Sequence, residues 1–329
     1  MSQLVDIRPG TDLDVGPLSE LLNACTVVHQ GVARSSPADV VARLRRNGAD
    51  PRLDSFVAVL DGAIAGFAHL WADSTDEVKF FARTHPDARG RGVGSRLVSL
   101  CDRRAAELLP GARRTTTTWA ADASAPGLLE RHGYRPIRYF VTMEIAAGSV
   151  PRQAGVLPAG VERVRLSERP DLAAALHAVW REAFAGHWGR AEESEAEFWA
   201  ERREAKVGAA FPFAPELWLL ALARGDVVGF CLGELGTTAS ESVGRVAEIG
   251  VVPAWRGVGL GFALLLDGLR ELRARGATRI VLDVDAENTS SALRLYERAG
   301  MTPRPAFTIW EKRPERQATS GGSEGLDRG

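Results

Sequence analysis

The sequence predicts an α/β (α+β) protein made of one strand-and-helix unit repeated in tandem, and three observations carry that reading. A strand, a glycine-rich turn and a helix occur twice, at Arg89-Gly-Arg-Gly-Val-Gly94 and Arg256-Gly-Val-Gly-Leu-Gly261, an offset of 256 − 89 = 167. Downstream, Glu130-Arg-His-Gly133 and Glu297-Arg-Ala-Gly300 keep that offset, 300 − 133 = 167, while upstream Ala65-Gly-Phe67 and Val228-Gly-Phe230 stand 163 apart, which implies a longer loop in the second half. Self-similarity at a fixed offset marks duplication. The 329 residues also match the length of two domains of about 150 residues each.

In chain order, Leu4–Ile7 reads as a strand closed by Pro9, and Asp12–Cys25 as a helix with an acidic first turn. Ser36 before Pro37 is an N-cap with proline at the first helical position. Phe56–Leu60 and Ala63–Leu70 form a hairpin around Asp61-Gly62. The repeated strand follows at 78–84, and after the glycine turn Val93, Leu97, Val98, Cys101, Ala105 and Leu108 recur every three or four residues, one face of a helix packed on a sheet. Thr115–Ala120 is a β-branched strand, Ser124–His132 a helix ended by Gly133, and Tyr134–Ile145 the closing strands. The second half restarts at Val161–Leu166, with helices at about 169–184 and 191–206 and a hairpin over 216–235 turning at Arg224-Gly-Asp226. Leu260, Leu264, Leu265, Gly268, Leu269 and Leu272 repeat the helical face; Thr278–Asp285 is a strand, Thr289–Ala299 a helix and Met301–Lys312 the closing strands. The expected division is 1–147 and 161–312, joined by a glycine- and proline-bearing linker at 148–160 and followed by a polar, disordered tail at 313–329.

Composition excludes several functions. A net charge of −1 makes no case for nucleic acid or a charged membrane surface. Cys25, Cys101 and Cys231 are odd in number, far apart and without metal-ligand spacing, so reduced buried thiols and no metal are expected. The N-terminus lacks a signal peptide and no long apolar run occurs, so the expected location is the cytoplasm.

Each glycine turn opens a helix, where amides lack intrahelical partners and the dipole is positive, which makes an anion site and most naturally a phosphate site. Gly259 and Gly261 let a pyrophosphate approach the main chain, and the guanidinium of Arg256 suits phosphate oxygens. The rival is a dinucleotide fingerprint, but Phe262 and Ser95 stand where its third glycine belongs; Asp283 is a partial match to its acidic residue.

These motifs resemble those of the GNAT superfamily of acyl-CoA-dependent N-acyltransferases. Its pyrophosphate loop is matched by both turns, and its later signature by Asn288, Ala292, Leu295-Tyr296 and Gly300. The resemblance covers nearly the whole chain as a tandem, the two-domain type to which mycothiol synthase belongs. It implies two GNAT domains, each a mixed, mostly antiparallel twisted sheet flanked by helices with a splayed central strand. It also implies acetyl-CoA or another acyl-CoA as co-substrate, and direct transfer to the primary amine of a small molecule in a ternary complex. The implied cofactor residues are Ile249, Val251, Arg256, Gly257, Gly259, Gly261 and Asn288, with Arg89, Gly90, Gly92 and Gly94 in the first half. Tyr296 is implied as general acid. Glu248 is the candidate base, or else a strand carboxylate paired with an arginine such as Arg245; Asp283 and Asp285 rank below it and, with His187 and Trp188, are candidates for lining the acceptor pocket.

In the first half Leu129, Ala121 and Phe81 replace Tyr296, Asn288 and Glu248 at the 167 offset. The phosphate cradle is kept while acid, anchor and base are gone, so the second half is expected to catalyse and the first to serve as a structural or cofactor-binding relic. His85, before Pro86, reads as structural. An acidic groove around Glu241, Glu248, Asp283 and Asp285 suits a cationic amine, whether of a small molecule, an aminoglycoside or a peptide lysine. The alternatives are a protein or peptide amine acetyltransferase and a non-catalytic acyl-CoA-binding protein, as monomer or homodimer.

Overall fold

The computed structural model describes residues 5–30, 35–185, 193–204, 211–237, 241–287 and 292–314. The first half contributes β1 (Asp6–Pro9), α1 (Val15–Gln30), α2 (Pro37–Leu44), α3 (Pro51–Asp54), β2 (Ser55–Leu60), β3 (Ala63–Ser74), β4 (Glu77–Thr84), α4 (Val93–Leu108), β5 (Arg113–Trp119), α5 (Ala125–Arg131) and β6 (Arg135–Ala146). The second contributes β7 (Val161–Arg165), α6 (Ala173–Ala183), α7 (Glu195–Glu204), β8 (Trp218–Ala223), β9 (Asp226–Thr237), β10 (Ser242–Val251), α8 (Leu260–Ala274), β11 (Arg279–Asp285), α9 (Ala292–Arg298) and β12 (Thr302–Lys312).

Local chemistry sets the joints. Ser36 and Asp39 close a capping box at the start of α2. The hairpins turn on Asp61-Gly62 and Arg224-Gly225, all four at positive φ, the type I′ geometry that matches strand twist. His85 accepts from the Asp87 amide with Nδ1, in the structural role expected of it. The three cysteines are free and buried. The tail beyond 314 lies outside the described residues.

One twelve-stranded sheet runs through the molecule in the order β1-β2-β3-β4-β5-β12-β6-β11-β10-β9-β8-β7. Among its pairs, β4–β5 and β10–β11 are parallel, at equivalent places in the two halves, and the others are antiparallel. The closing segments differ from expectation. Each is a single long strand, because Arg135–Ala146 and Thr302–Lys312 contain no glycine, Asn or Asp to turn a hairpin. The two strands are also exchanged: β6 pairs with β11 from Asp285↔Phe140 to Arg279↔Ala146, and β12 pairs with β5 from Phe307↔Trp119 to Lys312↔Arg114. Burial follows the exchange. Met143 and Ile145 sit in the core of the second half, and Trp310 in that of the first.

The segment expected as a linker is pinned to α8. Gly155 donates its amide to Asp267 Oδ1 at 3.1 Å, and a Cβ there would lie 2.3 Å from the Ala263 carbonyl oxygen. Asp267, almost fully buried, also takes Arg163, and Arg270 at 3.4 Å.

Candidate active site

In the second half β10 keeps its pairing with β9 to Val251 but meets β11 only over Val243–Arg245, so the strands part beyond Arg245. The edge of β10 that carries Ile249 and Val251 is therefore left without a strand partner. A bulge interrupts the β9 register between Val246 and Glu248, and bulges re-aim the side chains next to them.

β10 runs into the glycine loop, where Gly257 and Gly259 have φ +79° and +89° with open space around their Cβ positions. Left-handed backbone of this kind costs other residues roughly 1–2 kcal/mol. Gly259 caps α8, whose first turn closes with the Ala263 amide on the Gly259 carbonyl at 3.1 Å. The amides ahead of that bond have no intrahelical partner. Gly261 brings three elements together: its Cβ position is 3.6 Å from both Leu295 of α9 and Val251 of β10. The Arg256 guanidinium is turned differently from expectation. Its Nε donates to the Val251 carbonyl at 3.0 Å and its Nη2 to the Ala183 carbonyl at 2.9 Å, bracing the loop against β10 and α6.

Tyr296 of α9 is buried in the apolar core of the second half and is 8% exposed. Burial, with a smaller contribution from Cys231, pushes its phenol up to about 12. The hydroxyl therefore stays protonated across the physiological range. Glu248 follows the bulge and is held by two residues the sequence reading missed. Trp180 Nε1 donates to it at 3.0 Å, and Arg202 Nη2 at 3.1 and 3.0 Å to its two oxygens. Arg202 is itself fixed by its Nη1 on the Phe198 carbonyl at 3.0 Å and by stacking 3.6 Å over that ring. The arginine beside Glu248 is thus Arg202; Arg245 pairs with Glu234 at 3.7 Å instead.

The expected acidic groove is largely neutralised. Arg279 takes Glu241 at 2.9 Å, Arg138 takes Asp285 at 3.5 Å, and exposed Asp283 accepts from Thr142 Oγ1 at 2.6 Å. Arg138 and Thr142 belong to β6, so the exchanged strand forms part of this wall. Asn288, His187 and Trp188 lie outside the described residues. Among the described residues no group of three His, Cys, Asp or Glu could hold a metal ion, and no helix is long and apolar enough to cross a membrane.

The first half repeats the glycine turn without counterparts of Tyr296 and Glu248. Gly90 and Gly92 have φ +76° and +82°, Gly92 caps α4, and Gly94 meets Leu128 and Thr84 as Gly261 meets Leu295 and Val251. β4 leaves β5 after Phe80↔Thr116. Its register with β3 runs unbroken through Leu70↔Phe80 and His69↔Phe81, so the bulge seen before Glu248 is missing. Arg89 contacts His29 at 2.6 Å and Asp122 at 3.7 Å. A cavity of about 380 Å³ lies between the parted strands and the loop.

A strand parted from its parallel neighbour beside a left-handed glycine loop, with a buried tyrosine on α9, marks an N-acetyltransferase. The acetyltransferase (GNAT) family model matches residues 173–301, and that of an acetyltransferase (GNAT) domain matches residues 51–136. A mycothiol acetyltransferase of Streptomyces griseus is 34% identical over 279 residues, covering 82% of this chain and 85% of its own. The chain belongs to the GNAT acetyltransferase family, in its tandem form. Among solved structures, a GCN5-related N-acetyltransferase from Sphaerobacter thermophilus is similar, with TM-score 0.76 and 28% identity over 94% of this chain and 96% of that one. A tandem GNAT protein from the clavulanic acid biosynthesis pathway shares the fold at TM-score 0.72 and 16% identity, covering 94% and 98%.

Proposed function

We propose that the second half transfers an acetyl group from acetyl-CoA to the primary amine of a small molecule by direct attack within a ternary complex. The observation that carries this reading is the convergence on Gly261 of the glycine loop, the unpaired edge of β10 and the helix bearing Tyr296. Amides of Gly257, Gly259 and Gly261 bind the pyrophosphate, and Arg256 holds the loop in shape. The backbone of Ile249 and Val251 takes the pantetheine arm and donates toward the oxygen on which charge develops. Asn288 anchors the same arm.

Tyr296, kept protonated by its burial, donates a proton to the departing thiolate. Glu248 receives the amine proton through water, since Arg202 and Trp180 already engage the carboxylate. Asp283 and Asp285 contribute to the acceptor pocket, for which His187 and Trp188 are further candidates. A small acceptor fits the neutralised carboxylates, which offer little field to a polycationic peptide, and it fits the relatives named mycothiol acetyltransferases; a mycothiol-type precursor is the first candidate. The first half, residues 1–147, is a non-catalytic acyl-CoA binder whose loop is Arg89, Gly90, Gly92 and Gly94, and the exchanged closing strands fuse it to the catalytic half, 161–312.

Calorimetric titration with acetyl-CoA tests this reading, with Gly259→Glu as the comparison. Heat in the wild type that is lost or halved in the variant is expected, together with CoA release on adding small primary amines. No heat with acetyl-CoA or longer acyl-CoAs overturns the reading, and a mass shift on a peptide library alone moves the acceptor to protein amines.

A further inference from the structure

The first half departs from the second most sharply on the side of the sheet opposite α4. Phe81 stands where the second half has Glu248, and Arg83 where it has Gly250, since 250 − 167 = 83. A carboxylate is removed and a guanidinium added, so this side of the cleft gains positive charge.

Two aromatic rings and one carbonyl hold the guanidinium. Arg83 lies 4.1 Å over the Phe81 ring and 4.1 Å over the Trp119 ring, which fixes its plane. Arg43 of α2 lies 4.0 Å over Phe81; two cations this close to one ring cannot share a face, so they flank it. Arg83 Nη1 donates to the Ala82 carbonyl at 2.7 Å, while the Nε atoms of both arginines are sealed from solvent with no partner. Among the described residues neither arginine makes an ion pair, and residues 31–34, Gly-Val-Ala-Arg, bring no acid. Two neighbouring, half-buried cations carry a desolvation cost that an anion joining them would offset. Burial, and for Arg83 also Arg43, moves both groups down to about 10, where they remain charged at neutral pH.

Arg83 and the glycine loop line the same cavity of about 380 Å³, a volume within the usual range for small-ligand sites. Its charged lining is Arg83, Arg89, Arg131 and Asp122, a net positive set in which Asp122 is already engaged by Arg89 at 3.7 Å, His29 at 3.6 Å and Ser124 Oγ at 2.6 Å.

We propose that the first half is a binding site for a carboxylate, seated on Arg83 while the loop of Gly90 and Gly92 holds phosphates: the ligand is a CoA thioester whose acyl chain ends in a carboxylate. The proposal rests on reading the glycine loops as acyl-CoA cradles. The Nη N–H groups left over from the Ala82 bond, on a guanidinium fixed by two rings, recognise a carboxylate through charge-assisted hydrogen bonds, which a neutral acyl chain of equal length cannot make.

Calorimetry with succinyl-CoA, butyryl-CoA and free succinate tests it, on the wild-type chain and on Gly259→Glu to isolate the first half, with melting curves to check folding. Succinyl-CoA is expected to bind the first half about tenfold or more tightly than butyryl-CoA, and Arg83→Met to bring the two within about twofold by weakening succinyl-CoA alone. If Gly259→Glu does not fold, the Arg83-sensitive component of the wild-type titration gives the same comparison. Equal affinities, or a preference that survives Arg83→Met, overturn the proposal. Arg83-dependent binding of free succinate supports the carboxylate site and assigns it to a free acid rather than to a thioester. Acetyl-CoA that binds and turns over in the wild type while Gly259→Glu binds none of the three ligands defeats the first-half site alone; no acyl-CoA binding by the wild type defeats the acyltransferase reading itself.

Discussion

Glu248 is set by a backbone irregularity and held by side chains from two helices. Replacing it by Gln keeps the Trp180 bond and removes the charge that faces Arg202. If it relays the amine proton, Glu248→Gln lowers kcat by about 10²-fold with acetyl-CoA affinity unchanged, and raising the pH restores part of the rate by deprotonating the amine; an unchanged kcat removes it from the mechanism. His69 offers a test of stability. It is fully buried, and burial, aided by Arg43, holds its imidazole down to about 4. The unfolded chain takes up that proton below about 6.5 while the folded one does not. His69 therefore contributes no penalty above pH 6.5, and stability falls as pH drops toward 4, by at most ~3 kcal/mol. Urea unfolding at pH 7.5 and 4.5 is expected to show a shallower acid loss in His69→Leu than in the wild type. The helix that carries Tyr296 was legible because its spacing to the following glycine is local. Trp180 and Arg202 were not, because they reach Glu248 across 68 and 46 residues, and no local pattern records such a contact. Arg83 was within reach, since it stands at the repeat position of Gly250.

At the level of elements, the two glycine turns and the helices they open were legible, because left-handed backbone at a helix N-terminus demands glycine at fixed positions, whereas the turn of Arg256 back onto β10 and α6 was not. Gly257 and Gly259 carry that demand; Gly259→Ala is expected to cost roughly 1–2 kcal/mol and to weaken acetyl-CoA binding, read by melting and calorimetry together. The closing segments were legible as strands and not in their pairing. A strand's own pattern says which face is buried and does not say which neighbour it joins. Met143 shows the outcome: a residue of the first repeat, fully buried in the core of the second half. Met143→Ala is expected to destabilise by about 2–5 kcal/mol, with hydrogen exchange rising in β11 and α8 more than in β2 and β3. The opposite distribution contradicts the exchange.

Across the whole molecule, the duplication was readable from offsets, whereas its fusion into one sheet was not. Taken apart, residues 1–147 leave β5 without its β12 neighbour, and residues 148–329 leave β11 without β6. Unpaired edges of this kind invite aggregation. Separately produced halves are expected to be insoluble or misassembled, and co-expressed halves to form a stable one-to-one complex, as size-exclusion chromatography will show. Within that single sheet the two clefts have diverged, one keeping the buried tyrosine and the strand carboxylate, the other acquiring Arg83. The claim that the second cleft does the chemistry is tested most directly by the rate of CoA release from acetyl-CoA with a panel of small primary amines, comparing wild type with Tyr296→Phe after calorimetry has shown equal acetyl-CoA binding. A fall of about 10²-fold or more in kcat is expected; a rate equal to that of the wild type would place the proton donor, and with it the active site, elsewhere.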